Sequence, residues 1–204
     1  MKISLLTALF GIMYALSVHC SCAGGLPAVS GNTSYVKGAL ADGGDMLVFD
    51  GIKMHAFTLP PGGFEIPHTV TEGLYGVVFI TKDGFRPETV PFAADGAPVE
   101  AGEISLRRMG DTGMGIITGV VYKPVRGGKL RRHNGIGRLF KGERITINGA
   151  VTYSAVSDER GVFMMELPVG EYGLVFGNKT AGNVTISQGK TAIRNIRKGT
   201  VLAD

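Results

Sequence analysis

Cysteine is nearly absent from these 204 residues, and the two present, Cys20 and Cys22, both close an apolar N-terminal run. If that run is removed after Ala23, no disulfide and no thiol chemistry remains. The Cys-x-x-Cys-His signature of covalent haem is missing too. Histidine is scarce: beyond His19 in the N-terminal run, His55, His68 and His133 stand far apart, none at ligand spacing from another, so no metal centre is expected. Gly-x-Ser-x-Gly, His-Glu-x-x-His and a phosphate loop are all lacking. The sequence therefore points away from an enzyme, and no cofactor is expected. Nor does any later stretch hold a clean helical period or reach the length of a membrane span.

What is present begins with a leader. Lys2 is followed by an apolar run of about 16 residues, short of the roughly 20 that a bilayer span needs. Ser21-Cys22-Ala23 then supplies the small residues of a cleavage site, so residues 1–23 are read as a secretory signal peptide. The alternative is a lipoprotein anchored through Cys20 or Cys22, although His19 suits neither position. Either way the chain is expected to be exported, to the periplasm, the cell surface or the medium. Residues 24–34, rich in Gly, Pro, Ser and Asn, form a flexible lead-in.

Glycine is abundant at 32 residues, and turn dipeptides recur every eight to twelve positions between short apolar stretches. That pattern predicts an all-β chain of antiparallel sandwiches. Asp50-Gly51 and Asn148-Gly149 are hairpin signals. Asp42, Asp45 and Asp50 sit on turns, where their side chains cap backbone amides; calcium is the weaker explanation. The most patterned stretch, residues 161–176, reads as a strand, a tight turn beside Pro168 and Gly170, and a second strand. On it Phe163, Met165 and Leu167 can face Tyr172, Leu174 and Phe176 across one core. A looser copy lies upstream, with Gly62 matching Gly161 and Tyr75 matching Tyr172. Tyr75, Val77 and Phe79 share a face.

Gly119-Val120-Val121, Ile145-Thr146-Ile147, Ser157-Asp158 with Gly161 and Phe163, and Leu167-Pro168-Val169-Gly170-Glu171-Tyr172-Gly173-Leu174 together resemble the carboxypeptidase regulatory-like domain. The match covers residues 116–198. It implies a seven-stranded prealbumin-like sandwich, in a family whose domain is generally an accessory or binding module without catalytic residues. The organisation expected is two tandem prealbumin-like or Ig-like sandwiches: a degenerate module at 35–110 and a clearer one at 116–199. Related collagen-adhesin repeats form Lys–Asn cross-links. Lys123 and Asn195 lie near the matching strands, but Gly177-Asn178 stands where the required acid would be, so no cross-link is expected.

Charge divides unevenly. Residues 24–112 carry six Lys/Arg against eleven Asp/Glu, and residues 113–204 fourteen against six. Such asymmetry suggests separate partners, or head-to-tail attraction between copies. The densest positive stretch is a long connection from 123 to 144. It holds Lys123, Arg126, Lys129, Arg131, Arg132, His133, Arg138, Lys141 and Arg144, with Glu143 as its one acid. We expect it to contact an anionic partner: an acidic glycan, lipid headgroups or an acidic protein. A loop kept soluble by its charge is the competing explanation. Nucleic acid is not expected, because aromatic residues are not interleaved and the chain is exported. The functional expectation is a non-enzymatic binding or accessory protein of the cell envelope. The alternative is a structural subunit of a surface assembly that associates with itself.

Overall fold

A computed structural model describes residues 34–110, 112–127, 134–199 and 201–203. The expected signal peptide and nearly all of the lead-in lie outside them, as do Lys129, Arg131, Arg132 and His133. All regular structure among the described residues is β-strand.

The first sandwich runs β1 (Ser34–Leu40), β2 (Gly44–Phe49), β3 (Met54–Leu59), β4 (Gly62–His68), β5 (Tyr75–Thr81), β6 (Glu88–Ala93) and β7 (Val99–Ile104). Strands β4-β1-β7 form one sheet, with β7 parallel to β1, and β3-β2-β5-β6 form the other. Val36, Leu40, Met46, Val78, Ile80 and Ile104 fill the space between them.

The second sandwich opens with β8 (Met114–Gly127). An additional strand β9 (Gly135–Leu139) precedes β10 (Arg144–Asn148), β11 (Thr152–Val156), β12 (Val162–Pro168), β13 (Gly170–Phe176), β14 (Lys179–Ile186) and β15 (Thr191–Ile193). With β9 set aside, the strand order repeats. The fourth, first and last strands (β12-β8-β15) make one sheet, again with first and last parallel. The third, second, fifth and sixth (β11-β10-β13-β14) make the other. Two short strands, β16 (Ile196–Arg197) and β17 (Val201–Ala203), continue along β8 in parallel. The architecture is two tandem antiparallel β-sandwiches of one topology.

The two strands of 161–176 share one core as expected, but they do not form a hairpin. Phe163, Leu167, Tyr172 and Leu174 share the second core, with Met165 and Phe176 packed against it. However, β12 and β13 do not pair: the chain arches from one sheet to the other, and so does its counterpart between β4 and β5. Gly170 does not need a left-handed conformation; Gly161 and Gly62, which open the two fourth strands, do have positive φ. The tyrosines are not equivalent. Tyr172 is buried, with its hydroxyl donating to the Pro168 carbonyl at 2.9 Å, whereas Tyr75 is 38% exposed. The inward position two residues before Val78 belongs to Gly76, where a Cβ would collide with the Phe92 ring.

Strand alternation explains the difference. On β5, Val78 and Ile80 face the first core while Val77 and Phe79 face the second sandwich, and all four are 0% exposed. Val77, Phe79 and Phe49 meet Val120, Tyr122, Ile136 and Val162 in a third apolar core between the sandwiches. Phe49 and Tyr122 meet edge to face at 5.3 Å. The buried Thr118 hydroxyl donates to Phe163 O at 3.1 Å and lies 3.5 Å from that of Thr89. Polar links flank this core: Arg86 Nη2 to Glu166 Oε2 at 2.6 Å, Lys190 Nζ to Asp83 Oδ2 at 3.4 Å, and Arg160 Nη1 to Thr89 O at 3.2 Å. One of these links, Lys190 with Asp83, sets a base of the second half against an acid of the first.

Truncating Phe79 to alanine removes a fully buried ring from the shared core. Phe79→Ala should cost about 3–5 kcal/mol. Hydrogen-exchange mass spectrometry should show faster exchange in β5 and in β8 alike; loss confined to the first sandwich would mean that the third core does not couple them.

Candidate partner-binding face on the β8–β9 hairpin

Among its described residues, the connection expected from Lys123 onward is largely strand. β8 continues for 14 residues to Gly127, and the chain returns as β9, leaving a short stretch between. The extension arises because Val121, Tyr122 and Ile136 keep alternating between two buried faces. In the first sandwich residues 41–43 do the same job, so the hairpin is an insertion peculiar to the second. A register shift follows Lys123, where Pro124 has no N–H to offer the ladder. Beyond it, Ile136 pairs with Tyr75, joining the hairpin to the first sandwich. The tip of the β2–β3 hairpin also docks there. Gly51 has φ 92°, and a Cβ on it would lie 2.6 Å from the Ile136 nitrogen.

Lys123 and Arg138 stand directly opposite each other across the ladder. The guanidinium of Arg138 lies 5.1 Å from the centre of the Phe140 ring. A cation that sequence proximity could not reveal joins them. The segment after β16 runs along β8, Lys198 N donates to Tyr122 O at 2.7 Å, and Lys198 Nζ sits 4.7 Å from the same ring. Its ammonium also pairs with Glu143.

The turn carrying Phe140 and Glu143 is pinned from beneath. The buried Ser157 hydroxyl donates to Phe140 O at 2.8 Å and accepts from Glu143 N at 3.0 Å. Gly161 allows β12 to approach, since a Cβ there would lie 2.9 Å from that of Leu139.

The other expected residues do not join this group. Lys141 pairs with Glu159 at 2.7 Å in open solvent, an interaction worth at most about 1 kcal/mol. Arg144 is exposed at the start of β10, opposite Val156. Arg126 occupies a β8 position opposite Leu202. Asn195 Oδ1 accepts from Val120 N at 3.1 Å, which commits the amide to the backbone.

A cleft of about 560 Å³ lies between Ile52, Tyr122, Pro124, Val125 and Arg197. Burial raises the Tyr122 phenol above its ordinary pKa, and the nearby Arg197 charge partly offsets this.

Among the described residues no three His, Cys, Asp or Glu side chains gather as a metal site. His55 Nε2 lies 3.0 Å from Asp50 Oδ2, while Asp50 Oδ1 caps Ile52 N and Lys53 N, each at 2.7 Å. Its carboxylate is a turn cap, as the Asp-Gly pair suggests. His68, 7% exposed, accepts from Val70 N at 3.2 Å through Nδ1, and its buried Nε2 has no partner among the described residues.

No protein-family model matches the chain, and no curated protein matches it by sequence. Among solved structures it is similar to the Bacillus anthracis TIE protein, at 12% identity and a TM-score of 0.29, over 81% of this chain. It spans 34% of that protein's chain. A minor pilin of Streptococcus agalactiae is 10% identical over 84% of this chain and 98% of its own, with a TM-score of 0.29. The SpaA shaft pilin of Lactobacillus rhamnosus GG is 10% identical over 82% and 97%, at 0.28. At these TM-scores the likenesses assign no function to this chain.

Burial lowers the His68 pKa below 6.5. As pH falls below 6.5 the unfolded chain takes up a proton that the folded one resists. Stability should therefore decline from there down to the folded pKa and then level. Urea midpoints measured across that range should show the step, and His68→Gln should abolish it.

Proposed function

We propose that this chain is a non-enzymatic structural protein of the cell envelope, in which two sandwiches act as one rigid subunit of a surface assembly. The buried core between them supports this. Phe49, Val77, Phe79, Val120, Tyr122, Ile136 and Val162 turn an outer face of each sandwich onto the other. Modules that bind independently are usually separated by exposed linkers with few contacts across the boundary. Here the joint resembles a domain interior, and such a joint holds its geometry under load. The edge strand β3, with Met54 and neighbouring Ile52 exposed at 37% and 57%, is the surface offered to a neighbouring subunit.

Lysine-reactive cross-linking on intact cells should trap species larger than the single chain, and Ile52→Lys with Met54→Lys should diminish them. A chain that stays monomeric in cells, and in sedimentation at high protein concentration, overturns the proposal.

A second reading is favoured by one observation. Lys123 opposite Arg138 places like charges across a ladder, which is destabilising in the absence of an anion. The basic hairpin on this reading contacts an anionic envelope component.

A further inference from the structure

We propose that Arg138, Lys123 and Lys198 form a linear contact for an extended anionic polysaccharide bearing a carboxylate on each sugar; the inference rests on the second reading above.

Two of the cations come from adjacent strands and the third from the segment that follows β16. Arg138 of β9 is in register with Lys123 of β8, and Arg197 is in register with Tyr122, which brings Lys198 beside Lys123 on the other flank. Neighbouring strands lie about 4.8 Å apart, comparable to the advance of one sugar along an extended chain. The backbone positions of the three residues therefore lie side by side across neighbouring segments, a spacing close to the repeat of a polyuronate. Phe140 underlies two of them, its ring 5.1 Å from the Arg138 guanidinium and 4.7 Å from the Lys198 ammonium. The ring is partly buried and its turn is tied down by Ser157, so the row is held in place before any ligand arrives. Glu143 is the acid that engages the row, and it engages Lys198. Lys123 has no acidic partner among the described residues.

Other occupants fit less well. A lipid surface is met by basic residues spread over a plane beside apolar side chains that insert. Among the described residues, the exposed large apolar side chains are Ile52, Met54 and Tyr75 on the first sandwich and Val151, Val156, Met164 and Val169 on the second, and none of them belongs to the row or to the turn beneath it. Cationic residues set side by side on neighbouring segments suit a linear polymer.

The test uses the full mature chain and polygalacturonate, with binding measured calorimetrically at several salt concentrations. The row variant is Lys123→Gln, Arg138→Gln and Lys198→Gln. The control variant removes equal charge elsewhere through Lys53→Gln, Arg107→Gln and Lys179→Gln. A double variant, Lys123→Gln with Arg138→Gln, keeps the Lys198–Glu143 pair if the triple one fails to fold. The native chain should bind, and the row variant should lose at least tenfold in affinity where the control loses less than twofold. The logarithmic salt slope should fall by about two to three for the row variant. Equal losses in row and control variants overturn the row while leaving the basic hairpin as a contact. Binding to phosphatidylglycerol vesicles or an acidic protein but not to polygalacturonate overturns the polysaccharide. Binding to none of the three probes overturns the second reading together with this inference.

Discussion

The structure depends on one requirement: two central sheets must each bury both faces. An antiparallel sheet ordinarily keeps one face for water. Here β5 is apolar on both sides, and the middle of β8 is the same, with Ile117 and Val121 in the second core and Val120 and Tyr122 in the third. Uncovered, either sheet would present a broad apolar surface. Covering them requires the partner sandwich, and the ion pairs and the Thr89–Thr118 contact are arranged around that need. The joint also fixes where β9 lies, because Gly51, Gly135 and Ile136 approach backbone to backbone at its margin.

The strands were legible from turn dipeptides and alternation, and the repeated arch from Gly62 and Gly161. Which face of each strand met which core was less so. Tyr75, Val77 and Phe79 do share a face, but it belongs to the joint rather than to the first core. The signal was available in the unbroken runs Val77-Val78-Phe79-Ile80 and Ile116-Ile117, where a half-exposed strand would alternate. Tyr75 and Tyr172 resembled each other by spacing alone; Gly76 is the structural counterpart, because Phe92 already fills that volume.

The candidate face was half legible for a related reason. A run of positive residues draws attention to one segment, so Lys123 and Arg138 were visible. Lys198 lies far along the chain and arrives through parallel pairing with β8, which no local pattern announces. Conversely, Lys141 and Arg144 belonged to the run but point elsewhere. Charge counted along a sequence is a poor guide to charge gathered in space; register decides the difference.

The shared core also has a consequence for the chain while it is being made. Synthesis delivers the first sandwich before β8. During that interval Phe49, Val77 and Phe79 form an uncovered apolar face on an otherwise complete fold, a natural place for two nascent chains to stick. The same half of the molecule is the acidic one, with eleven carboxylates against six cations over residues 24–112. Net negative charge on that half works against such sticking until the second sandwich covers the face.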